Sequence, residues 1–483
     1  RQVAVEPIEA ARAFGSTSRQ TLYKVQLPLA LPSIMLGVNQ TIMMALGIVV
    51  IASLVGAGGL GDAVIKTLQR IQVGKSLEAG LAIVFMAVIL DRISYALAQR
   101  DGGRRPQRSK VARWWLRVMD GLPSVRATGM RLADRRSAWQ ASLDGSPARG
   151  ARLATLARQH AFLLVSLAVI TALFAANGVA SGLSDFPASW RLHMDAPVDD
   201  AVRWMRDNLF EFAVVGGQPI GTGPFSDFLV ISILNPLREL LTHWLVWPAF
   251  ILTVSALALV SAGRRLALVS AAGLVLIGLV GMWDKSMDTL SQVIVAVILT
   301  IVIAIPAGVL AARSDAFEAL LRPVLDFLQT IPPFVYLVPV IMLFNVGRVP
   351  GIMASVLYAL PPGIRLTNLG IRQVRQESLE AARAFGSTSR QILLKVQIPL
   401  AMPSILTGIN QTIMMVLAMV IIAGLVGGGA LGLEAVEGLA RSGQKGDLGE
   451  GLQAGLAIGI LAIIMDRITQ AWARKNEPGR RNQ

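Results

Sequence analysis

Apolar residues in this chain fall into long runs that carry few charges, and polar intervals separate the runs. They lie at 34–55, 77–98, 162–180, 245–262, 266–283 and 290–312, and then at 331–344, 352–368, 403–426 and 451–472. A helix that crosses the hydrocarbon layer needs about 20 residues, which most of these runs supply. The pattern predicts an all-α, polytopic membrane protein with about ten transmembrane helices. Pro332, Pro333, Pro339, Pro361 and Pro362 stand inside two of the runs. Such residues break a soluble helix, whereas a membrane bundle lets neighbours or water satisfy the freed backbone, so two broken spans are expected.

One polar stretch occurs twice. Aligning Glu9 to Gly61 with Glu380 to Gly432 without a gap gives 39 identities in 53 positions. The repeat comprises a loop, EAARAFGSTSRQ followed by KVQ and an apolar-proline pair, then an apolar span and its glycine-rich exit. Glu9, Ala10 and Ala11 open a helix-favouring run with the acid in the first turn, where the helix dipole favours it. Gly15 ends that run, and Ser16, Thr17 and Ser18 are turn or N-cap residues for a second, which Pro28 and Pro32 interrupt. The second copy repeats each element from Glu380, Ala381 and Ala382 through Gly386. A short helix projecting beyond the membrane is expected in each copy. Its alanines leave a slim surface, with Arg12, Arg19 and Phe14 offering charge and one apolar anchor to a partner's groove.

The intervals between runs carry less. A glycine-rich segment begins at Gly56, but no Gly-Lys-Ser/Thr follows, so it is read as close helix packing or an outer turn rather than a phosphate loop. Asp91-Arg92 and Asp466-Arg467 end equivalent spans, and adjacent helical residues do not face each other; interfacial anchoring is expected. Residues 99–158 hold 14 basic and 4 acidic side chains, the composition of a solvated linker. Trp114 and Trp115 within it could lie along anionic headgroups. Residues 181–243 carry eight acidic and four basic residues, and 199–210 reads as an amphipathic helix with Val202, Met205 and Leu209 on one side.

Composition agrees with a membrane protein: of 483 residues 54% are hydrophobic and 16% charged, and mean hydropathy is +0.58. The net charge of +15 raises the question of nucleic acid. Its distribution answers it. Placing both repeated loops inside and alternating puts 34 Lys or Arg inside and 11 outside, the usual inward bias. Cysteine is absent, and His160, His193 and His243 have no metal-ligand spacing. No nucleophile and base, metal cluster or phosphate loop is recognisable, so no enzyme activity is expected of this chain. Asn39, Gln40 and Thr41 and their twins Asn410, Gln411 and Thr412 are polar groups inside a span. Lining a pore and bonding helix to helix both remain open for them.

The repeated residues Glu-Ala-Ala, the glycine four positions on, and Val25-Gln26-Leu27-Pro28 or Val396-Gln397-Ile398-Pro399 resemble the EAA loop of ABC importer permeases. The region from Thr289 to Gln470, and in shorter form 1–98, resembles permeases of the proline/glycine betaine (quaternary amine) family. That resemblance implies a type I ABC importer permease fold in the bacterial inner (plasma) membrane. It implies ABC ATPase subunits that dock on Glu9, Ala10, Ala11, Gly15, Glu380, Ala381, Ala382 and Gly386 and bind the ATP and magnesium, with no cofactor in this chain. It also implies an extracytoplasmic binding protein delivering glycine betaine, choline or proline, and no nucleic acid partner. This sequence departs from the family pattern in being a tandem fusion. Because it opens in mid-repeat, further spans before Arg1 are expected.

The expected divisions are the C-terminal part of a first permease domain at 1–98 and a basic cytoplasmic linker at 99–160. N-terminal spans and an external segment follow at 161–286, a second permease domain at 287–471 and a cytoplasmic tail at 472–483. A quaternary ammonium site needs an aromatic cage. Trp283, Tyr336 and Tyr358 read as isolated aromatics in the spans, which places solute choice mainly in the binding protein. Two other readings remain: a permease for a different small solute of amino-acid type, and an ion-coupled secondary transporter, which would need carboxylates at mid-membrane.

Overall fold

The structure, a computed structural model, describes residues 5–53, 57–70, 72–99, 171–172, 195–215, 218–440 and 447–475. The chain divides into two units, Arg1–Ala98 with Met194–Gln483, and Gln99–His193. Of the second unit only Gln99, Thr171 and Ala172 are described, and all three are helical. The expected linker and the expected span at 162–180 therefore lie outside the described residues.

In the first unit the chain begins with α1 (Val5–Ala13), α2 (Ser18–Thr21), α3 (Leu27–Ser53), α4 (Leu60–Gln69) and α5 (Val73–Gln99). Helix α6 (Asp195–Leu209), a hairpin of β1 (Ala213–Val215) and β2 (Gln218–Ile220), α7 (Thr222–Phe228) and α8 (Asn235–Glu239) come next. The membrane core follows with α9 (Trp247–Ala262), α10 (Arg264–Leu279), α11 (Trp283–Arg313), α12 (Asp315–Thr330), α13 (Leu337–Phe344) and α14 (Arg348–Arg372). The second copy of the repeat closes the chain as α15 (Gln376–Ala384), α16 (Ser389–Ile392), α17 (Ile398–Ala423), α18 (Ala430–Ala440) and α19 (Asp447–Lys475). Elements α1 to α5 thus recur in order as α15 to α19.

Among the described residues five helical stretches are long and apolar enough to cross a membrane, or seven if two bent pairs each count as one span. Three boundaries differ from the sequence reading. The polar interval expected to run to His243 ends near Gly221. From Thr222 to Trp244 the chain is one helical run of α and π turns, burying Leu229, Leu234 and Leu241 and meeting α9 at 103°. The sequence hid this because its apolar residues are interleaved with Asp227, Arg238 and Glu239. Of the two runs expected to be broken by proline, 331–344 is, with Pro332 and Pro333 turning the chain by 113° between α12 and α13, but 352–368 is not: Pro361 and Pro362 lie inside the continuous α14, which packs closely on α11 and α17. Helix α11 is 31 residues long and begins at Trp283, seven residues before the expected start, because its first two turns are polar.

Glycines set the closest approaches. A methyl on Gly308 of α11 would lie 2.6 Å from Thr367 Cβ, and one on Gly363 of α14 would lie 2.9 Å from Ala304 Cβ, so α11 and α14 meet almost backbone to backbone. Small residues let membrane helices gain dispersion contacts in this way. The two copies share one buried cluster. Val64, Ile65, Leu68, Ile83 and Val84 of the first pack with Phe334, Tyr336, Leu337, Val338 and Ile341 of the second. The proline turn lies in this seam, where Gly47 would bring a methyl within 3.5 Å of Pro333 and Gly80 within 3.6 Å of Val335.

On the other side of the cluster α6 presents Val198, Val202, Met205 and Leu209 as its half-buried row, extending the expected amphipathic helix back to Asp195. Its Asp199 carboxylate accepts the Gly74 backbone N–H at 2.7 Å, capping the start of α5. Replacing Asp199 by alanine is expected to cost about 1 kcal/mol, as for a lost N-cap, and to speed amide exchange at the first turn of α5. Unchanged exchange there would contradict the cap.

Candidate functional site

The repeated loop takes the same form in both copies, and local chemistry explains each turn. Helix α15 carries Glu377 in its first turn and Arg383 in its last, the orientation that the helix dipole favours. It ends in a Schellman closure. The Ser387 N–H donates to the Ala382 carbonyl and the Gly386 N–H to the Arg383 carbonyl, with Gly386 at φ +74°. In the first copy Ser16 donates to Ala11 and Gly15 to Arg12, with Gly15 at φ +76°. Only glycine takes this conformation without strain, so the spacing from Glu-Ala-Ala to the glycine fixes where the helix stops.

A capping box then restarts the chain. Thr388 Oγ1 accepts the Gln391 N–H and Gln391 Oε1 accepts the Thr388 N–H, and Thr17 and Gln20 form the same pair. One π turn follows at Leu393–Gln397 and at Leu22–Gln26, ahead of Pro399 and Pro28. A proline cannot donate to the carbonyl four residues back and its ring crowds that carbonyl; the wider turn relieves both problems without ending the helix. The second-copy helix consequently runs unbroken from Ser389 to Val426, which joins the loop rigidly to a membrane span.

The surface this makes is the same in both copies. Glu9, Ala10 and Gly15, like Glu380, Ala381 and Gly386, are exposed, and Ala11 and Ala382 are half-buried. Phe14 and Phe385 each stand 90% exposed at the helix end. Beneath the second loop Leu379 and Ile392 are buried with Ile371, Val374, Ala401 and Ile405. Arg372, at the end of α14, donates to the Ala311 carbonyl at 2.8 Å and pairs with Asp315 at 2.7 Å and Glu318 at 3.3 Å. A push on the loop is therefore passed to α11, α12 and α14 together.

The polar positions inside the spans separate into different uses. Asn410 donates from Nδ2 to Asp466 Oδ1 at 3.0 Å and accepts from Thr469 Oγ1, so it bonds α17 to α19. Asp466 also accepts from Gln470 at 2.7 Å. Asp466 thus bonds α17 to α19, a use that the expected interfacial anchoring of Asp466-Arg467 did not include. Thr412 is buried and its hydroxyl donates to the Ala359 carbonyl of α14 at 3.4 Å. Gln411 is exposed on a stripe of α17 with Thr407, Met414 and Ala418. Thr41 is exposed in the first copy and donates to the Gly37 carbonyl at 2.9 Å. The side chains of Asn39, Gln40 and Asp91 lie outside the described residues.

The aromatic residues are not isolated as the sequence suggested. The rings of Tyr336 and Tyr358 lie 5.8 Å apart, edge to face, and Trp283 meets Phe250 edge to face at 5.7 Å. These pairs join residues distant in sequence, which no local pattern could reveal. Tyr336 is buried in the seam between copies and donates its hydroxyl to the Leu328 carbonyl. The sequence reading also missed a buried polar group at the start of α11: Ser286, Asp288, Thr289, Ser291 and Gln292 are all under 8% exposed. Among the described residues no group of three or more metal-ligating side chains converges.

Comparison with known proteins follows the same outline. Residues 1–100 and 304–478 match the family described as binding-protein-dependent transport system inner membrane component. Over 473 residues, 98% of this chain and 63% of the relative, the chain is 31% identical to the trimethylamine N-oxide transport system permease protein TmoV of Ruegeria pomeroyi. It thus spans less than two thirds of that relative's length. It is 46% identical to the glycine betaine transport system permease protein OpuAB of Bacillus subtilis over 51% of this chain and 87% of that protein. To the glycine betaine/proline betaine transport system permease protein ProW of Escherichia coli it is 44% identical, over 50% of this chain and 67% of that one.

Proposed function

We propose, from the premise that this chain belongs to the family of binding-protein-dependent transport system inner membrane components, that it is the permease subunit of an ATP-driven importer for a small methylated-amine solute. Glycine betaine, choline and trimethylamine N-oxide are members of that solute class. The reading rests on one observation above all: two loops of one fold, each ending in a protruding phenylalanine and each continuous with a membrane helix. Such a loop has the form of a coupling element for a subunit that binds and hydrolyses ATP elsewhere. The ATPase subunits would grip Glu9, Ala10, Ala11 and Gly15 on one loop and Glu380, Ala381, Ala382 and Gly386 on the other. Gln411, exposed on α17 while Asn410 and Thr412 are held by neighbours, is the residue we assign to the pore wall.

Solute capture is assigned to a separate extracytoplasmic binding protein. A methylated ammonium held tightly in a membrane needs a carboxylate or an aromatic cage, worth about 1–2 kcal/mol or more per contact when desolvated. The Tyr336–Tyr358 pair packs in the buried cluster as one edge-to-face contact, with Tyr336 buried and Tyr358 half-buried, and two rings are not a cage. The permease with its ATPase, but without binding protein, is expected to show no saturable glycine betaine or choline binding in the micromolar range by calorimetry. A micromolar dissociation constant would overturn this assignment. The experiment for the function itself is uptake of labelled glycine betaine by proteoliposomes holding permease, ATPase and binding protein; uptake that follows an ion gradient without ATP would refute it.

Orientation has its own test. With both loops inside, α6 lies outside. The chain contains no cysteine, and Trp204 is 61% exposed. An impermeant thiol reagent applied to intact cells is expected to label Trp204→Cys and to spare Phe385→Cys, and the opposite labelling would invert the topology.

A further inference from the structure

One face at the outer end of α11 carries Lys285, Asp288, Thr289 and Gln292, spaced at intervals of three and four so that they align. Each reaches a different part of the fold. The Asp288 carboxylate, 7% exposed, pairs through Oδ2 with Arg348 Nη2 at 3.3 Å and through Oδ1 with Arg238 Nε at 3.7 Å. The second contact is an ion pair too long for a hydrogen bond, and Oδ1 has no hydrogen-bond partner. Thr289 Oγ1 accepts the Leu431 N–H at 3.0 Å, Gln292 Nε2 donates to the Gly428 carbonyl at 3.0 Å, and Lys285 pairs with Glu434 at 2.6 Å.

Two of these contacts, from Thr289 and Gln292, end on a loop in an unfavourable conformation, and Arg348, the partner of Asp288, lies against the same loop at Gly429. Gly427 and Gly429 have φ of +76° and +70°, and Ala430, which has a Cβ, has φ +56°. A non-glycine residue persists there only when its surroundings hold it. The first copy places Gly59, at φ +101°, where the second has Ala430, so the strain belongs to the second copy alone. The turn before this loop, Gly424–Val426, touches α4 of the first copy, and Val426 lies in the cluster that both copies share. The Val426 carbonyl accepts the Gly347 N–H one residue before Arg348. A buried carboxylate, two arginines from separate helices and a strained loop therefore meet at one end of the seam.

We propose that Asp288 is a positioning residue that clamps the 427–431 loop over the outer end of the seam between the copies, and that the seam opens outward only when this clamp yields. A buried carboxylate is expensive unless paired, so loss of either arginine contact favours the open loop, and relief of the Ala430 backbone adds to it. Arg238 comes from the helical run 222–244, outside the residues that match the family, so the clamp adds a segment of this chain to the pore's control. The proposal uses the orientation given under Proposed function, and its test separates the two.

Leu431, the last residue of the loop, is fully buried, so Leu431→Cys in the cysteine-free chain reports the loop's lifting. In proteoliposomes of the full chain, an impermeant maleimide added to the outer face is expected to label it slowly. Asp288→Asn is expected to raise that rate about tenfold, as loss of a buried charge pair, and Asp288→Glu to leave it near the parent rate. Gln292→Leu, which removes one hydrogen bond and no charge, should raise it about threefold, and it carries the test if Asp288→Asn fails to insert. Adding ATPase subunits, ATP and vanadate should bring the parent rate toward that of Asp288→Asn. Equal protection in the Asp288→Asn and Gln292→Leu variants overturns the clamp. A parent rate that nucleotide leaves unchanged overturns its gating role, and labelling only from the loop side overturns the orientation and the outer placement with it.

Discussion

Replacing Gly386 by proline is expected to abolish ATP-driven uptake while the chain still inserts in the membrane. Gly386 sits at φ +74° and its N–H donates to the Arg383 carbonyl. Proline holds φ near −65° and has no N–H, so it cannot close the helix, and Phe385 is carried away from its position. A local distortion of about 3 kcal/mol leaves fewer than about one loop in a hundred in the original form, and uptake should fall accordingly. Insertion should persist because Leu379, Ile392 and the residues beneath them stay buried on the membrane helices. Gly386→Ala, strained but able to donate, should cost about 1–2 kcal/mol and reduce uptake roughly tenfold. Gly15→Pro is expected to match Gly386→Pro if, as proposed, each ATPase subunit grips its own loop. The check is solute uptake set against permease content of the membrane fraction; normal uptake by either proline variant would remove the two-loop requirement.

The largest expected effect on folding is at Gly308. A side chain there meets Thr367 Cβ at 2.6 Å and the Ile364 carbonyl at 2.9 Å, and the second of these is backbone that cannot rotate away. Gly308→Leu should force α11 from α14 and cost about 3 kcal/mol, the upper end for overpacking in a tight core. Helix α14 also carries the loop through Arg372, so the damage reaches the surface proposed for ATPase docking. The expected result is a marked fall in the thermal midpoint of the detergent-solubilised protein and in folded yield. Gly455→Leu on α19 is the control, because nothing lies within 4 Å of a Cβ at that position. Equal losses in both variants would mean that the close approach of α11 and α14 contributes little.

The loops were legible because everything that shapes them is local. A glycine that accepts a left-handed conformation, a threonine three residues before a glutamine, and a proline after a short apolar run each act within about five residues, and the chain repeats them. The spans were legible where apolar runs were long. Helix 222–244 was not, because the exposed Asp227, Arg238 and Glu239 interrupt its apolar residues and lower its mean hydropathy. The start of α11 was missed for the same reason: Asp288 and Gln292 look like residues of an outer loop until Arg348 and Gly428 are placed beside them. Asn410 and Gln411 show the limit at single residues. Both are polar and adjacent, and only the position of Asp466 on α19 decides which one is bonded.

The polar start of α11 also bears on how the chain is made. Asp288 precedes Arg348 by 60 residues, Gln292 precedes Gly428 by 136 and Thr289 precedes Leu431 by 142. At roughly 5–20 residues per second, the last of these partners leaves the ribosome about 7–28 seconds after Thr289 does. Through that interval the apolar remainder of α11 can enter the bilayer, but its first two turns carry groups that must stay in contact with water. The expected consequence is a waiting state in biogenesis, in which α11 is inserted with its polar end still wet and the 427–431 loop not yet synthesised. Ordering of that end would then be one of the last steps of assembly, completed only when the second repeat arrives.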